Sequence, residues 1–190
     1  MNEPTRYAEF MALGKDYEGQ DCSLARALEL LGERWTLLIV RDAFYGVRRY
    51  SDFLAHLDAP RAVLSERLHR LTDAGVLRRI RYSASPPRDE YVLTDAGREL
   101  WPVLFGLSRW ADRNLPVDGP CRLFRHGGDC QAELTDAATC PVCGSLPVED
   151  IEITPGPGLK RGRTDPVTVA LRGPHRLLEP LASAAKDPAG

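Results

Sequence analysis

A mainly α-helical fold with one small β-hairpin, followed by a compact cysteine-rich segment, is predicted for this chain by three observations. First, Leu64, Leu68 and Leu71 recur at spacings of four and three, which puts them on one face of a helix. The face opposite and its flanks (Arg61, Ala62, Ser65, Glu66, His69, Arg70 and Asp73) are polar. Second, two short runs rich in β-branched and aromatic residues, Leu77 to Tyr82 and Glu90 to Leu93, flank a Ser/Pro loop. Third, Cys140-Pro-Val-Cys143-Gly144 near the C-terminus has the spacing that lets two thiolates reach one ion.

The 190 residues allow one domain plus an appendage, or two small domains. A hydrophobic share of 43% supports a core, and a formal net charge of −2 excludes a polyanion binder defined by charge alone. The charge is unevenly placed. Residues 1–47 carry eight acids and five bases, whereas residues 48–88 carry nine arginines against four acids, a local excess of +5. Such a segment fits a phosphate-contacting surface, and a solvated helix face would give the same count. The first residues are punctuated by charges and the longest aliphatic run is Leu37 to Val40, so neither a signal peptide nor a membrane span is expected. A cytoplasmic location follows. There the five cysteines favour free thiols or metal ligands over disulfides.

In chain order, residues 1–20 form an N-terminal arm with a brief apolar pattern at Tyr7, Phe10, Met11 and Leu13. Asp21 is placed to cap a helix through Leu31, with Leu24, Ala27, Leu28 and Leu31 on one face and Gly32 as its left-handed stop. Arg34 to Phe44 is almost continuously apolar and reads as the central buried helix, with Trp35 in the core. Tyr50 to Leu57 turns Phe53, Leu54 and Leu57 inward. Pro60 suits the first turn of the next helix, and Gly75 ends it. Two short helices joined by a tight turn and followed by a hairpin make a winged helix-turn-helix. Arg78, Arg79, Arg81 and Arg88 then lie on or beside the wing, where phosphate contacts belong. After Thr94, a helix opens afresh or kinks at Pro102. Val103, Leu104, Leu107, Trp110, Ala111 and Leu115 form an apolar stripe that either packs on its own domain or, as favoured here, on a second copy.

The runs CSLARALELLGERWTLLIVRDAFYGVRRYSDFL (from Cys22), LSERLHRLTDAGVLRR (from Leu64), YVLTDAGREL (from Tyr91) and PVLFGLSRWA (from Pro102) resemble the HxlR-type winged-helix transcriptional regulators, relatives of the MarR repressors. The resemblance spans residues 21–115 in unbroken order. It implies a homodimeric regulator, with no catalytic activity of its own, that binds a double-stranded DNA operator. Its recognition helix is Pro60 to Ala74, with Arg61, Ser65 and His69 as base readers. Arg49, Ser51, Arg70, Arg81 and Arg88 complete the expected DNA-binding set, while Arg67 is divided between a phosphate contact and a salt bridge. Ala59 stands where the family places a capping serine, leaving Asp58 to cap. Cys22 matches an N-terminal cysteine that some members use to sense quinones, aldehydes or oxidants, which implies a redox or small-molecule effector. The competing reading is an ordinary buried cysteine.

Pro116 and Asp118-Gly119-Pro120 read as a linker. In residues 116–158, His126 and Cys130 best complete a four-ligand site with Cys140 and Cys143, with Cys121 as the substitute if His126 does not bind. Structural zinc leads over a redox pair at Cys140 and Cys143 and over unrelated thiols, because a segment this rich in glycine has little apolar content with which to fold unaided. Longer relatives carry a comparable zinc-ribbon-like tail ending in Pro-Gly-Pro-Gly, matched by Pro155 to Gly158. Residues 159–190 read as a variable, partly flexible tail with one strand, Val167 to Leu171. Two other classes stay open at this point: a winged-helix protein-interaction module, and a thiol-redox protein using Cys140 and Cys143.

Overall fold

In the computed structural model, residues 17, 19–115, 118–160 and 162–181 are described. The expected N-terminal arm, apart from Tyr17, Gly19 and Gln20, lies outside them, as do the last nine residues. Helices α1 (Ser23–Leu31), α2 (Thr36–Phe44), α3 (Tyr50–Leu57) and α4 (Arg61–Asp73) precede the hairpin β1 (Leu77–Ala84) and β2 (Pro87–Leu93). The short α5 (Asp95–Arg98) and long α6 (Trp101–Asn114) follow, then β3 (Arg122–His126), β4 (Ile151–Pro155), α7 (Pro166–Ala170) and β5 (His175–Arg176). The fold is therefore mainly helical with a two-stranded antiparallel wing and a separate antiparallel sheet of order β3-β4-β5.

The core forms around α2, as its apolar run requires. Ile39, Val40 and Phe44 are buried against Phe53 of α3 and Leu64, Leu68 and Leu71 of α4. Trp35 is only half-buried and takes a left-handed conformation ahead of α2. The α3–α4 angle is held by one phenol: Tyr50 Oη donates to the carbonyl of Arg61 at 3.2 Å and accepts from Ser65 Oγ at 3.3 Å. The segment before α3 joins the wing, with Tyr91 N–H donating to the Arg48 carbonyl and Arg49 bridging Glu90. The hairpin is longer than expected, because its strands run into the Ser/Pro loop up to the Ala84 and Pro87 pair.

Several local expectations are corrected. Asp21 does not cap α1; Cys22 occupies the N-cap without a side-chain bond, and Gly32 stays right-handed at φ −73°. Pro60 is the N-cap of α4 rather than a residue of its first turn. Asp58 caps nothing through its side chain and instead closes α3 in the left-handed region at φ 54°. Ala59 is 5% exposed, so a small side chain is needed there for packing. Gly75, at φ 70°, does end α4 as its freedom from a Cβ allows. Pro102 falls in the first turn of a fresh helix rather than at a kink.

Of the apolar face assigned to α1, only Leu31 packs against the core. Ala25 is the buried residue of α1, while Leu24 is 65% and Leu28 38% exposed. On α6 the stripe divides: Trp101, Leu104 and Phe105 turn inward, whereas Val103, Leu107 and Trp110 are 50–55% exposed. Thus two helices of the winged unit keep apolar faces outside.

Residues 162–181, expected as a variable tail, pack into the same core as the winged helix. Trp101, Phe105 and Phe124 pack in tilted and edge-on contacts with centroids 5.2–5.6 Å apart, joining α6 to β3. Leu171 and Leu177 are buried, and the N–H groups of Leu178 and Leu181 donate to the carbonyls of Phe44 and Gly46. Arg163 donates to the Ala55 carbonyl. Sheet β3-β4-β5 also takes strands from both sides of residue 158. The Pro-Gly-Pro-Gly run crosses closely over residues 119–121: a Cβ on Gly156 or Gly158 would lie 2.0 or 2.1 Å from the carbonyl oxygens of Pro120 or Gly119. Val167 to Leu171 is the helix α7 and its cap rather than a strand, because Asp165 accepts from the Thr168 N–H and hydroxyl and Pro166 opens the first turn.

Candidate nucleic-acid interface and metal centre

Burial of Leu64, Leu68 and Leu71 leaves Arg61, Ala62, Ser65, Glu66, His69 and Asp73 of α4 exposed along the opposite face. His69 pairs with Asp73 one turn on at 3.2 Å. Two arginines of the helix are otherwise engaged. Arg67 reaches Glu33 at 2.9 Å and Glu66 at 3.2 Å, so the salt-bridge reading applies to it. Arg70, expected at DNA, donates to the Glu29 carbonyl at 2.9 Å, covering an unpaired oxygen near the end of α1. Both thereby brace α4 against α1 and the turn that follows it. No periodic signal in the sequence marks this, because the partners come from another element.

A cleft of about 410 Å3 separates the start of α3 from the wing, and Arg49, Ser51, Tyr82 and Arg88 line it. Arg49 lies over the Tyr82 ring, 4.6 Å from its centroid, and 3.3 Å from Glu90. Ser51 hydroxyl donates to Asp52 at 3.3 Å. On the wing, Arg79 and Arg81 both pair with Asp89, and the bonds from Arg81 and then Arg79 hold that carboxyl below its usual range. Arg81 is thus exposed but partly neutralised by its own hairpin. Sequence reading missed Tyr50 as the α3–α4 clamp and Asp42 as a fully buried carboxylate bound by Arg41 and His56, each at 2.7 Å. The adjacent Arg41 and Asp42 inside the largely apolar run of α2 were the available signal for the latter.

At the second site the ligand atoms of His126, Cys130, Cys140 and Cys143 all lie within 4.8 Å of one another. Strand β3 delivers His126 at its end, and the Cys140–Gly144 turn delivers the knuckle, with Gly144 at φ 82°. The N–H groups of Val142 and Cys143 donate to Cys140 Sγ at 3.4 and 3.3 Å. Burial pushes the Cys140 thiol up, but those N–H donors together with His126 and Cys130 outweigh it and bring it to about 6. Cys143, donating to Cys130, is pushed up to about 11.

Cys130 Sγ stands 3.6 Å from Cys140 Sγ and 3.8 Å from Cys143 Sγ. A tetrahedral ion with sulfur ligands at about 2.3 Å sets the sulfurs about 3.8 Å apart. The buried Nδ1 of His126 has no hydrogen-bond partner among the described residues. The cluster can therefore hold a metal ion. Cys121 is not part of it; its thiol faces the Gly158 carbonyl at 3.6 Å. Cys22 is exposed at the N-cap of α1, so it is not the buried cysteine of the competing reading.

An exposed polar helix in a helix-turn-helix, flanked by an arginine-lined wing, defines a winged-helix protein of the DNA-binding class. A family profile described as HxlR-like helix-turn-helix matches residues 30–118. The HTH-type transcriptional regulator Rv3095 of Mycobacterium tuberculosis is 43% identical over 150 residues, covering 78% of this chain and 93% of that protein. YvaP of Bacillus subtilis, also an HTH-type transcriptional regulator, is 41% identical over 87 residues, 45% of this chain and 81% of its own. Among solved structures, the redox regulator HypR in its oxidized form is 27% identical, covers 50% of this chain and all of its own, and has a TM-score of 0.47. The chain belongs to the HxlR-like helix-turn-helix family and is a transcriptional regulator of that type. Among the described residues, no helix is long and apolar enough to cross a membrane.

Proposed function

We propose that the chain acts as a homodimer on a pseudo-palindromic DNA operator, with α4 in the major groove and Arg61, Ser65 and His69 reading base edges. The observation that supports this most is the division of α4 into a fully buried leucine face and an exposed polar face. Arg49, Ser51 and Arg88 around the cleft, with Arg81 on the wing, contact phosphates. Arg70 is left out of this set because it braces α1. With several phosphate contacts per dimer, affinity for duplex DNA is expected to fall roughly 10³–10⁵-fold between about 50 and 200 mM salt. Arg61→Ala is expected to lose about 1–3 kcal/mol of discrimination at one base pair of each half-site. Fluorescence anisotropy with operator variants measures both. Salt-insensitive binding, or unchanged preference in Arg61→Ala, would indicate a protein-docking role for the winged unit.

The four-ligand cluster holds structural zinc, which needs no open position when His126, Cys130, Cys140 and Cys143 all bind. Cys22, exposed beside the first helix, serves as a thiol sensor for oxidants or electrophiles such as quinones. Release of the operator on treatment with a quinone is expected to be lost in Cys22→Ser. Unchanged release in that variant would remove Cys22 from the mechanism.

A further inference from the structure

Tyr50 and Ser65 share a chain of hydrogen bonds whose direction is fixed by chemistry. A carbonyl oxygen can only accept, so the 3.2 Å contact between Tyr50 Oη and the Arg61 carbonyl takes the single phenolic proton. The 3.3 Å contact between Ser65 Oγ and Tyr50 Oη is then donated by Ser65. Ser65 Oγ keeps its lone pairs and has no proton left to offer. Its side chain is exposed on the polar face of α4, one turn on from Arg61, while the phenol that holds it is half-buried at the start of α3. A free serine hydroxyl rotates to donate or to accept, and so distinguishes bases poorly. Held by Tyr50, this one accepts.

In the major groove the base edges that donate are exocyclic amino groups, N6 of adenine and N4 of cytosine. Guanine presents N7 and O6 there and thymine presents O4, all of them acceptors. We propose that Tyr50 is a positioning residue for base reading, which fixes the Ser65 hydroxyl as an acceptor so that the base it meets in each half-site is adenine or cytosine and not guanine or thymine. The inference rests on the operator reading above and names what one of its base readers selects. Tyr50 acts through Ser65 and need not touch DNA. One such hydrogen bond corresponds to about 2–12-fold discrimination per half-site. Without the phenolic hydroxyl, Ser65 is free to donate as well, and amino and keto edges become equivalent to it.

Binding-site selection on random duplex DNA with the wild type and with Ser65→Ala locates the position. Ser65→Ala should lose its preference at one base pair per half-site, where the wild type takes adenine or cytosine. Tyr50→Phe should accept guanine or thymine at that position about equally well, with the other positions of the half-site unchanged. A merely loosened α4 would instead weaken every sequence alike. Should Tyr50→Phe misfold, a second measurement needs no Tyr50 variant: the selected base is replaced by its analogue without the amino group, purine for adenine or pyrimidin-2-one for cytosine. Anisotropy should show about 2–12-fold weaker binding by the wild type and no change in Ser65→Ala. The proposal is overturned by guanine or thymine at the Ser65 position, by no position that responds to Ser65→Ala, or by an unchanged preference in Tyr50→Phe. Enrichment of no site at all would overturn the operator reading and this inference with it.

Discussion

Leu107→Glu combined with Trp110→Glu is expected to yield a folded monomer that binds its operator roughly 10²–10⁴-fold more weakly, the factor lost when two linked half-site contacts become one. The physical basis is the divided stripe of α6. Trp101, Leu104 and Phe105 fill the core, so changes at Leu107 and Trp110 on the outer face leave packing intact. That outer face, with Val103 on α6 and Leu24 and Leu28 on α1, exposes large apolar side chains at helical spacing, as a self-associating surface does. Glutamates there would set like charges against each other across a two-fold axis. Sedimentation velocity reads the mass and anisotropy reads the affinity. A dimer that survives the double substitution would place the interface elsewhere.

Chelation of zinc, or Cys140→Ser, is expected to remove about one bound zinc per chain and to abolish the cooperative melting of the C-terminal third. Cys140 stands centrally in the cluster, since it faces Cys130 at 3.6 Å and takes two backbone N–H donors. Loss of a direct ligand should weaken zinc by more than about 100-fold, given that even outer-shell changes cost 10–100-fold. Because Phe124 ties this region to Trp101 and Phe105, loss of the ion should also reach α6. Plasma mass spectrometry gives the stoichiometry. Metal-free protein that melts as one unit at an unchanged temperature would show that the thiols are not a structural centre.

Much of the winged unit is legible in the sequence because its signals are local. Leucine spacing locates α4, the glycine at position 75 gives its stop, and the β-branched and aromatic runs around the Ser/Pro loop give the wing. The knuckle is legible for the same reason, as ligand spacing is a short-range constraint. What escaped depends on partners distant in the chain. Arg70 looks like a DNA contact on its own helix, and only the approach of Glu29 assigns it elsewhere. Leu24 and Leu28 of α1 resemble a core face until the rest of the fold leaves them outside. Val167 to Leu171 has strand-like composition, but capping by Asp165 and Pro166 outweighed β propensity. Residues 162–181 read as tail because their few apolar side chains are widely spaced, yet Val167, Leu171 and Leu177 reach a core that other elements build.

Selection of binding sites from random duplex DNA by the full-length protein tests the central claim most directly. The expected product is an inverted repeat with half-site centres about 34 Å apart, one helical turn, whose preferred bases change with Arg61→Ala. A pool with no enrichment, or an enriched site without two-fold symmetry, would contradict a dimer reading DNA through α4.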